Sequence, residues 1–250
     1  MKRHDVILEI ASFPELIPCD VAVCWNHLNH RLFNRQKAEG AHYLILERGF
    51  IGNRTRWTSI GFDGLNGRAD FVVKDMPGDR YHRYFKFQML PWKHDGRYVL
   101  VNAQCQGDAS VTPYVDFKKW AHRTVKQCHD RFPGKEVIWR PHPVEVDRGC
   151  NYDVPGARSS IGRPLAEDMA GACAVITFNN NSGVDAVMAG VPTFALDEGS
   201  MARPVAAHNL DDDPIRPNRR QWAWDLAYKQ WTMKEIAAGL PWSYLKKKVM

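Results

Sequence analysis

Two short stretches carry the residue types from which a phosphate or nucleotide site is made. One reads RPHP, Arg140 to Pro143, directly after the apolar run KEVIW. Arg140 offers a rigid fork of N–H donors to an anion. His142 titrates near neutrality, so it can donate a proton or carry charge there. The other stretch reads NNNSGVDAVMAGVP, residues 179–192, between AVITF and TFAL. Asn181 and Ser182 are helix-capping types, and a helix start presents unpaired N–H groups that suit phosphate. Gly183 allows a ligand close to the backbone, and Asp185, one turn in, is placed to accept from ribose hydroxyls. A third stretch, NAQCQGD, adds Gln104 and Asp108. Each of these also has an ordinary structural use as a cap, a turn or a surface charge. Their concurrence at neighbouring strand ends favours a ligand site.

Such residues work only if a scaffold brings them to one edge. From residue 98 the chain alternates short apolar runs with amphipathic ones. YVLVNAQ (98–104), KEVIWRPHP (135–143), AVITF (174–178) and TFAL (193–196) read as strands. Residues 114–132, 164–172 and the stretch after 179 read as helices, with Pro133-Gly134 closing the first. This β-α-β-α-β-α-β order predicts a parallel sheet covered on both faces. Ligands bind such sheets beyond the carboxyl ends of the strands. Residues 144–164 read as a polar loop. Upstream, residues 17–25 and 42–47 read as strands and 27–39 as a helix, followed by a glycine-punctuated loop. A turn cluster, PWKHDG (91–96), marks a domain boundary. Residues 219–238 read as a C-terminal helix or helix pair. The organisation predicted is 1–93, 94–215 and 216–250.

Composition narrows the class. The chain has 250 residues, 44% hydrophobic and 25% charged, which is globular. No run approaches the roughly 20 apolar residues of a membrane span, and the N-terminus carries no signal-peptide pattern. Six cysteines without a CxxC pair suggest reduced thiols and a cytoplasmic location. A net charge of +6 and a pI of about 9.0 favour an anionic partner. Oligomeric state is left open by the sequence.

Four stretches together resemble one family. They are ERGFIGNRTRWTSIGFDGLNG (47–67), VLVNAQCQGDASV (99–111), VIWRPHP (137–143) and VITFNNNSGVDAVMAGVP (175–192). Their order and spacing are similar to those of GT-B glycosyltransferases, most narrowly the capsular-polysaccharide Kdo-transferase group. The shared signals are an E-x-G-aromatic start, G-x-N-G, Q-x-x-x-D, R-x-H-P and a serine-glycine helix start. The resemblance implies an α/β fold of two Rossmann-like domains facing a cleft, with the C-terminal helix packed back on the N-terminal domain. It implies a nucleotide-sugar co-substrate, with a UDP-sugar the leading expectation, and no further cofactor. By position, Arg140, His142, Asn181, Ser182 and Gly183 would hold phosphates, with Gln104 and Asp108 beside them. Asp185 would hold ribose, where many related enzymes carry the longer Glu.

Glycosyl transfer needs a base for the acceptor hydroxyl and positive charge for the leaving diphosphate. Glu47, at the end of HYLILE, is the first candidate base and Asp63, in GFDGLNG, the second. His27 and His30 are further candidates, and Arg54 and Arg56 are candidates for binding an anionic acceptor. No metal site is expected: Asp211-Asp212-Asp213 precedes Pro214 and reads as a solvated turn. For the acceptor, the basic pI and the segments NRTRWTSIG, DRYHRYFKF and RPNRRQWAWD suggest DNA, as in compact bacteriophage glycosyltransferases that act on hydroxymethylated bases; the location would then be a host cytoplasm. A capsule-type glycan acceptor, a sugar-nucleotide epimerase and a non-enzymatic basic DNA-binding protein are the alternatives.

Overall fold

A computed structural model describes residues 18–27, 29–85, 89–111 and 115–249. The first sheet begins with β1 (Val21–Trp25), α1 (His30–Ala38) and β2 (His42–Arg48), a parallel crossover unit. The Asn29 side chain starts α1 by accepting from the Leu32 N–H at 3.1 Å. β3 (Thr58–Phe62) then pairs antiparallel with β2. All five β3 residues are buried, although Gly61 and Gly64 made this stretch read as loop. Gly61 is required by packing, since a Cβ there would lie 2.7 Å from the Ala69 Cβ. A short helix, α2 (Asp79–Tyr84), follows.

The second sheet is built from β4 (Tyr98–Asn102), α3 (Phe117–Arg131), β5 (Glu136–Arg140), α4 (Pro143–Asp147), β6 (Arg158–Ser159), α5 (Leu165–Gly171), β7 (Ala172–Thr177), α6 (Ser182–Met188) and β8 (Thr193–Ala195). α4 and β6 lie inside the stretch expected to be a loop. The strand order is β6-β5-β4-β7-β8 and every pairing is parallel. The chain steps outward from β4 to β6, then returns to the other side of β4, which is the Rossmann-like arrangement with its switch point beside β4. Alternation along β4 serves both faces. Val99 and Val101 pack with Trp120, Val125 and Trp139 on the α3 side, and Tyr98 and Leu100 pack with Ile138, Met169 and Ala186 on the other. Each fully buried aliphatic side chain of this kind contributes about 1.5–3 kcal/mol.

The C-terminal segment forms α7 (Arg220–Tyr228), β9 (Gln230–Trp231), α8 (Met233–Ala237) and α9 (Leu240–Leu245). It returns to the first sheet, where β9 pairs antiparallel with β3 in the order β1-β2-β3-β9. The first sheet is therefore mixed, with one parallel pairing and two antiparallel ones. In this it departs from the expected second Rossmann-like unit, while the helix or helix pair expected over 219–238 takes the form of α7 and α8 with the two-residue strand β9 between them. One apolar cluster joins the two sheets, with Phe50, Trp57 and Phe71 packed against Val184, Met201, Trp222 and Leu226. The six cysteines are free. Among the described residues no helix is long and apolar enough to cross a membrane.

Candidate active site

Register assembles the site. Asn102, the last residue of β4, stands opposite Arg140 of β5 and Thr177 of β7. The following loops then converge on this edge. Asn102 Nδ2 donates to Ser182 Oγ at 2.9 Å, Ser182 Oγ donates to Asn180 Oδ1, and Asn180 Nδ2 donates to the Ala103 carbonyl at 2.7 Å. Asn179 Nδ2 donates to the Ser110 carbonyl at 2.9 Å and to Asp197 Oδ1 at 2.8 Å. Asp108 accepts from the Ser110 N–H at 2.8 Å. Asn179 and Asn180 thus tie the β7 end to the loops after β4 and β8.

The start of α6 differs from the expected phosphate cradle. Its first turn is already bonded within the chain. The Ser182 N–H donates to Asn180 Oδ1 at 3.2 Å, the Gly183 N–H to the Asn180 carbonyl, and the Val184 and Asp185 N–H groups to the Asn181 carbonyl. Asn181 makes no side-chain cap and instead donates from Nδ2 to the Phe50 carbonyl at 2.9 Å, linking α6 to the loop after β2. Gly183 is buried and does not line the cavity. Its missing Cβ accommodates Thr177 Cγ2 at 3.2 Å and Ala202 Cβ at 3.3 Å, so it serves packing.

Arg140 is held from behind. Its Nη1 donates to Asp168 Oδ2 at 2.6 Å, and Ser160 Oγ donates to the same oxygen at 2.7 Å. Asp168 is fully buried, so the guanidinium is anchored with its remaining donors left for the cavity. His142 caps α4, its Nδ1 accepting from the Val144 N–H at 3.3 Å, with Pro143 at the first helical position. Burial lowers its pKa against the pull of Glu145 and Asp108, helped by the nearby Arg54. His142 is therefore neutral at pH 7, with Nε2 carrying the proton.

The opposite wall comes from the first sheet. A cavity of about 580 Å³ is lined by Glu47, Arg48 and Arg54 on that side, and by Asn102, Gln104, Asp108, Arg140, His142, Asn181, Ser182 and Asp185 on the other. Arg54 is fixed by donation from Nε to the Gly49 carbonyl at 2.8 Å. Glu47 accepts the Arg48 N–H at 2.8 Å through one oxygen. Asp185 opens to the cavity but is walled by protein on its other sides. This enclosure pushes its carboxyl up to about 6, against the Arg54 charge and an Asn181 hydrogen bond that pull it down. Among the described residues no group of three or more His, Cys, Asp or Glu side chains is placed to hold a metal ion.

Four other candidates lie outside the lining. Asp63 sits at φ +57°, accepting from the Tyr43 N–H at 3.1 Å and paired with His42 Nδ1 at 2.7 Å. Its carboxylate shapes the turn after β3 and does not face the cavity. His27 stacks on Phe33 with centroids 4.5 Å apart, and His30 meets it edge-on. Arg56 is exposed. The sequence reading missed Asn102 and Asn180. The available signal was an asparagine closing the wholly apolar run YVLV at the level of Arg140.

Most of the described aromatic residues of the aromatic–basic segments belong to the core. Trp57, Tyr81, Phe85 and Trp222 are buried. Arg80 is buried too, donating to Glu235 Oε1 at 2.5 Å and lying 4.1 Å from the Trp231 ring centroid. Arg219 lies 3.8 Å from the Trp92 centroid and donates to the Val187 carbonyl at 2.7 Å. These pairs hold the C-terminal segment in the core. Phe87 of the second segment lies outside the described residues.

No protein-family model matches the chain, and no curated protein matches its sequence. Among the solved structures that share its fold are two KpsC chains. One is the KpsC beta Kdo 2,7 transferase of Thermosulfurimonas dismutans, 14% identical over 90% of this chain and 85% of that chain, with a TM-score of 0.60. The other is the KpsC beta Kdo 2,4 transferase of the same organism, 14% identical over 88% and 86%, with a TM-score of 0.56. The likeness is one of architecture, a mixed α/β fold with a Rossmann-like parallel sheet.

Proposed function

We propose that this chain is a glycosyltransferase that moves a sugar from a nucleotide-sugar donor to an acceptor hydroxyl. The observation that carries this reading is the cavity at the carboxyl edge of the parallel sheet. There Glu47 and Arg54 face Arg140, His142 and Asp185 across the gap between the two sheets. The donor, a UDP-sugar in the first instance, lies along the ends of β4, β5 and β7, and residues 1–93 supply the acceptor side. The acceptor oxygen attacks the anomeric carbon while the bond from that carbon to the phosphate oxygen breaks. Glu47 takes the hydroxyl proton, and Arg54 and Arg140 stabilise the departing phosphate. The resemblance to capsular transferases and the activities named for the two structural relatives support a glycan acceptor. The burial of Trp57, Tyr81, Phe85 and Trp222 leaves a DNA acceptor the less supported of the two readings. The free cysteines fit a cytoplasmic setting.

Replacing Glu47 with Gln tests the assignment. Transfer to a glycan acceptor should fall by about 100-fold or more, with donor affinity within about twofold of wild type. Unchanged turnover would remove Glu47 as the base.

A further inference from the structure

The hydrogen-bond network around the cavity fixes which way its buried amides point. Asn180 Nδ2 is committed to the Ala103 carbonyl, so Asn180 Oδ1 must accept the Ser182 hydroxyl proton. Ser182 Oγ therefore accepts from Asn102 Nδ2, which leaves Asn102 Oδ1 as the outstanding atom. Ser110 Oγ has two acceptors for its one proton, Asp108 Oδ1 at 2.5 Å and Asn179 Oδ1 at 3.1 Å, so towards Gln104 Nε2, at 3.4 Å, it accepts, which leaves Gln104 Oε1 outstanding. Asn181 Nδ2 is committed to the Phe50 carbonyl. Among the described residues, Asn102 Oδ1, Gln104 Oε1 and Asn181 Oδ1 are all buried without a partner. Asn102 and Gln104 are each only 3% exposed, and all three residues line the same cavity. Arg54, by contrast, is exposed and His142 half-buried.

An unpartnered buried carbonyl oxygen is costly, and only a donor relieves it. Phosphate oxygens are acceptors and are repelled by such a group, whereas sugar and ribose hydroxyls can donate to it. We infer that the amide oxygens of Asn102 and Gln104 form a floor that receives the neutral, hydroxyl-bearing part of the ligand, while its anionic part lies against Arg54 and His142. The identity of that ligand as a nucleotide sugar rests on the glycosyltransferase reading; the polarity of the floor rests on the hydrogen bonds alone.

Gln104→Met, which keeps the length and removes the oxygen, separates the two. Thermal melts of the ligand-free protein come first. The variant should match wild type or melt about 2–4 °C higher, because it loses an unpaired oxygen. Titrations follow with inorganic pyrophosphate and with UDP-, CMP- and GDP-sugars. The variant should bind the sugar nucleotide that wild type selects about tenfold more weakly and pyrophosphate as wild type does. Asn102→Leu should show the same split. A melt lowered by several degrees in Gln104→Met, or equal losses for pyrophosphate and sugar nucleotide in both variants, or no loss for either, would overturn the floor. Failure of wild type to bind any sugar nucleotide would instead refute the transferase reading, and the melts would then decide the floor by themselves.

Discussion

Breaking the Arg140–Asp168 pair should destabilise the protein severely, and removing both partners should not. Asp168 has 0% side-chain exposure and Arg140 15%, with 2.6 Å between Oδ2 and Nη1. Asp168→Asn leaves the guanidinium without its counter-charge, and Arg140→Met leaves a carboxylate in the core. Each single change should cost about 3–5 kcal/mol, the range for breaking a buried pair. At roughly 2–4 °C per kcal/mol for a chain of this size, that is a fall of about 10 °C. The double variant Arg140→Met/Asp168→Leu removes both charges and should recover most of the loss, less about 1 kcal/mol for the Ser160 hydroxyl, which loses its acceptor. Urea unfolding of the four proteins completes the cycle, with an expected coupling of at least about 2 kcal/mol. Single-variant costs below about 1 kcal/mol that simply add in the double would refute the view that Asp168 anchors Arg140. Pyrophosphate titration adds a second readout, since the double variant should be stable yet bind more weakly.

Three further outcomes follow from the same geometry. The Asp185 carboxyl is raised from 3.8 to about 6, so the folded state holds its proton more tightly than the unfolded chain does. Stability is greatest below the unfolded value and declines as pH rises through about 6. Asp185→Asn should therefore match wild type near pH 4 and exceed it at pH 8, by on the order of 1 kcal/mol after screening by cavity water; a variant less stable at pH 8 contradicts this. Gly183→Val would drive side-chain atoms into Thr177 and Ala202 and should cost about 1–3 kcal/mol in urea, while Gly183→Ala should cost less. Asp63→Ala should lower the melting temperature through loss of the His42 and Tyr43 contacts while leaving turnover of the folded protein unchanged; a collapse in turnover would restore Asp63 as a candidate base.

The second sheet was largely legible because its signals are local. Four apolar runs at helix-length spacing specify a parallel sheet, and the polar residues that end them specify its functional edge. The first sheet was not. β3 and the turn after it carry Gly61 and Gly64, whose necessity appears only once Ala69, Phe71 and Arg68 crowd them, and β9 pairs with β3 from more than 170 residues away. The aromatic–basic segments misled for a related reason. Arginine beside tryptophan has one composition on a nucleic-acid surface and in a buried cation–π pair, and only burial separates them. The roles of Asn180 and Ser182 were similarly hidden, since a capping type says nothing of which N–H groups are already satisfied.

The central claim is that the cavity holds a nucleotide sugar. Calorimetric titration with UDP, CMP, GDP and their sugars, on wild type and His142→Ala, tests it most directly. The account predicts selective binding of one nucleotide and its sugar, weakened about tenfold or more in the variant through loss of the Nε2 donor. Absence of binding by any nucleotide, or equal affinity in wild type and variant, would contradict it.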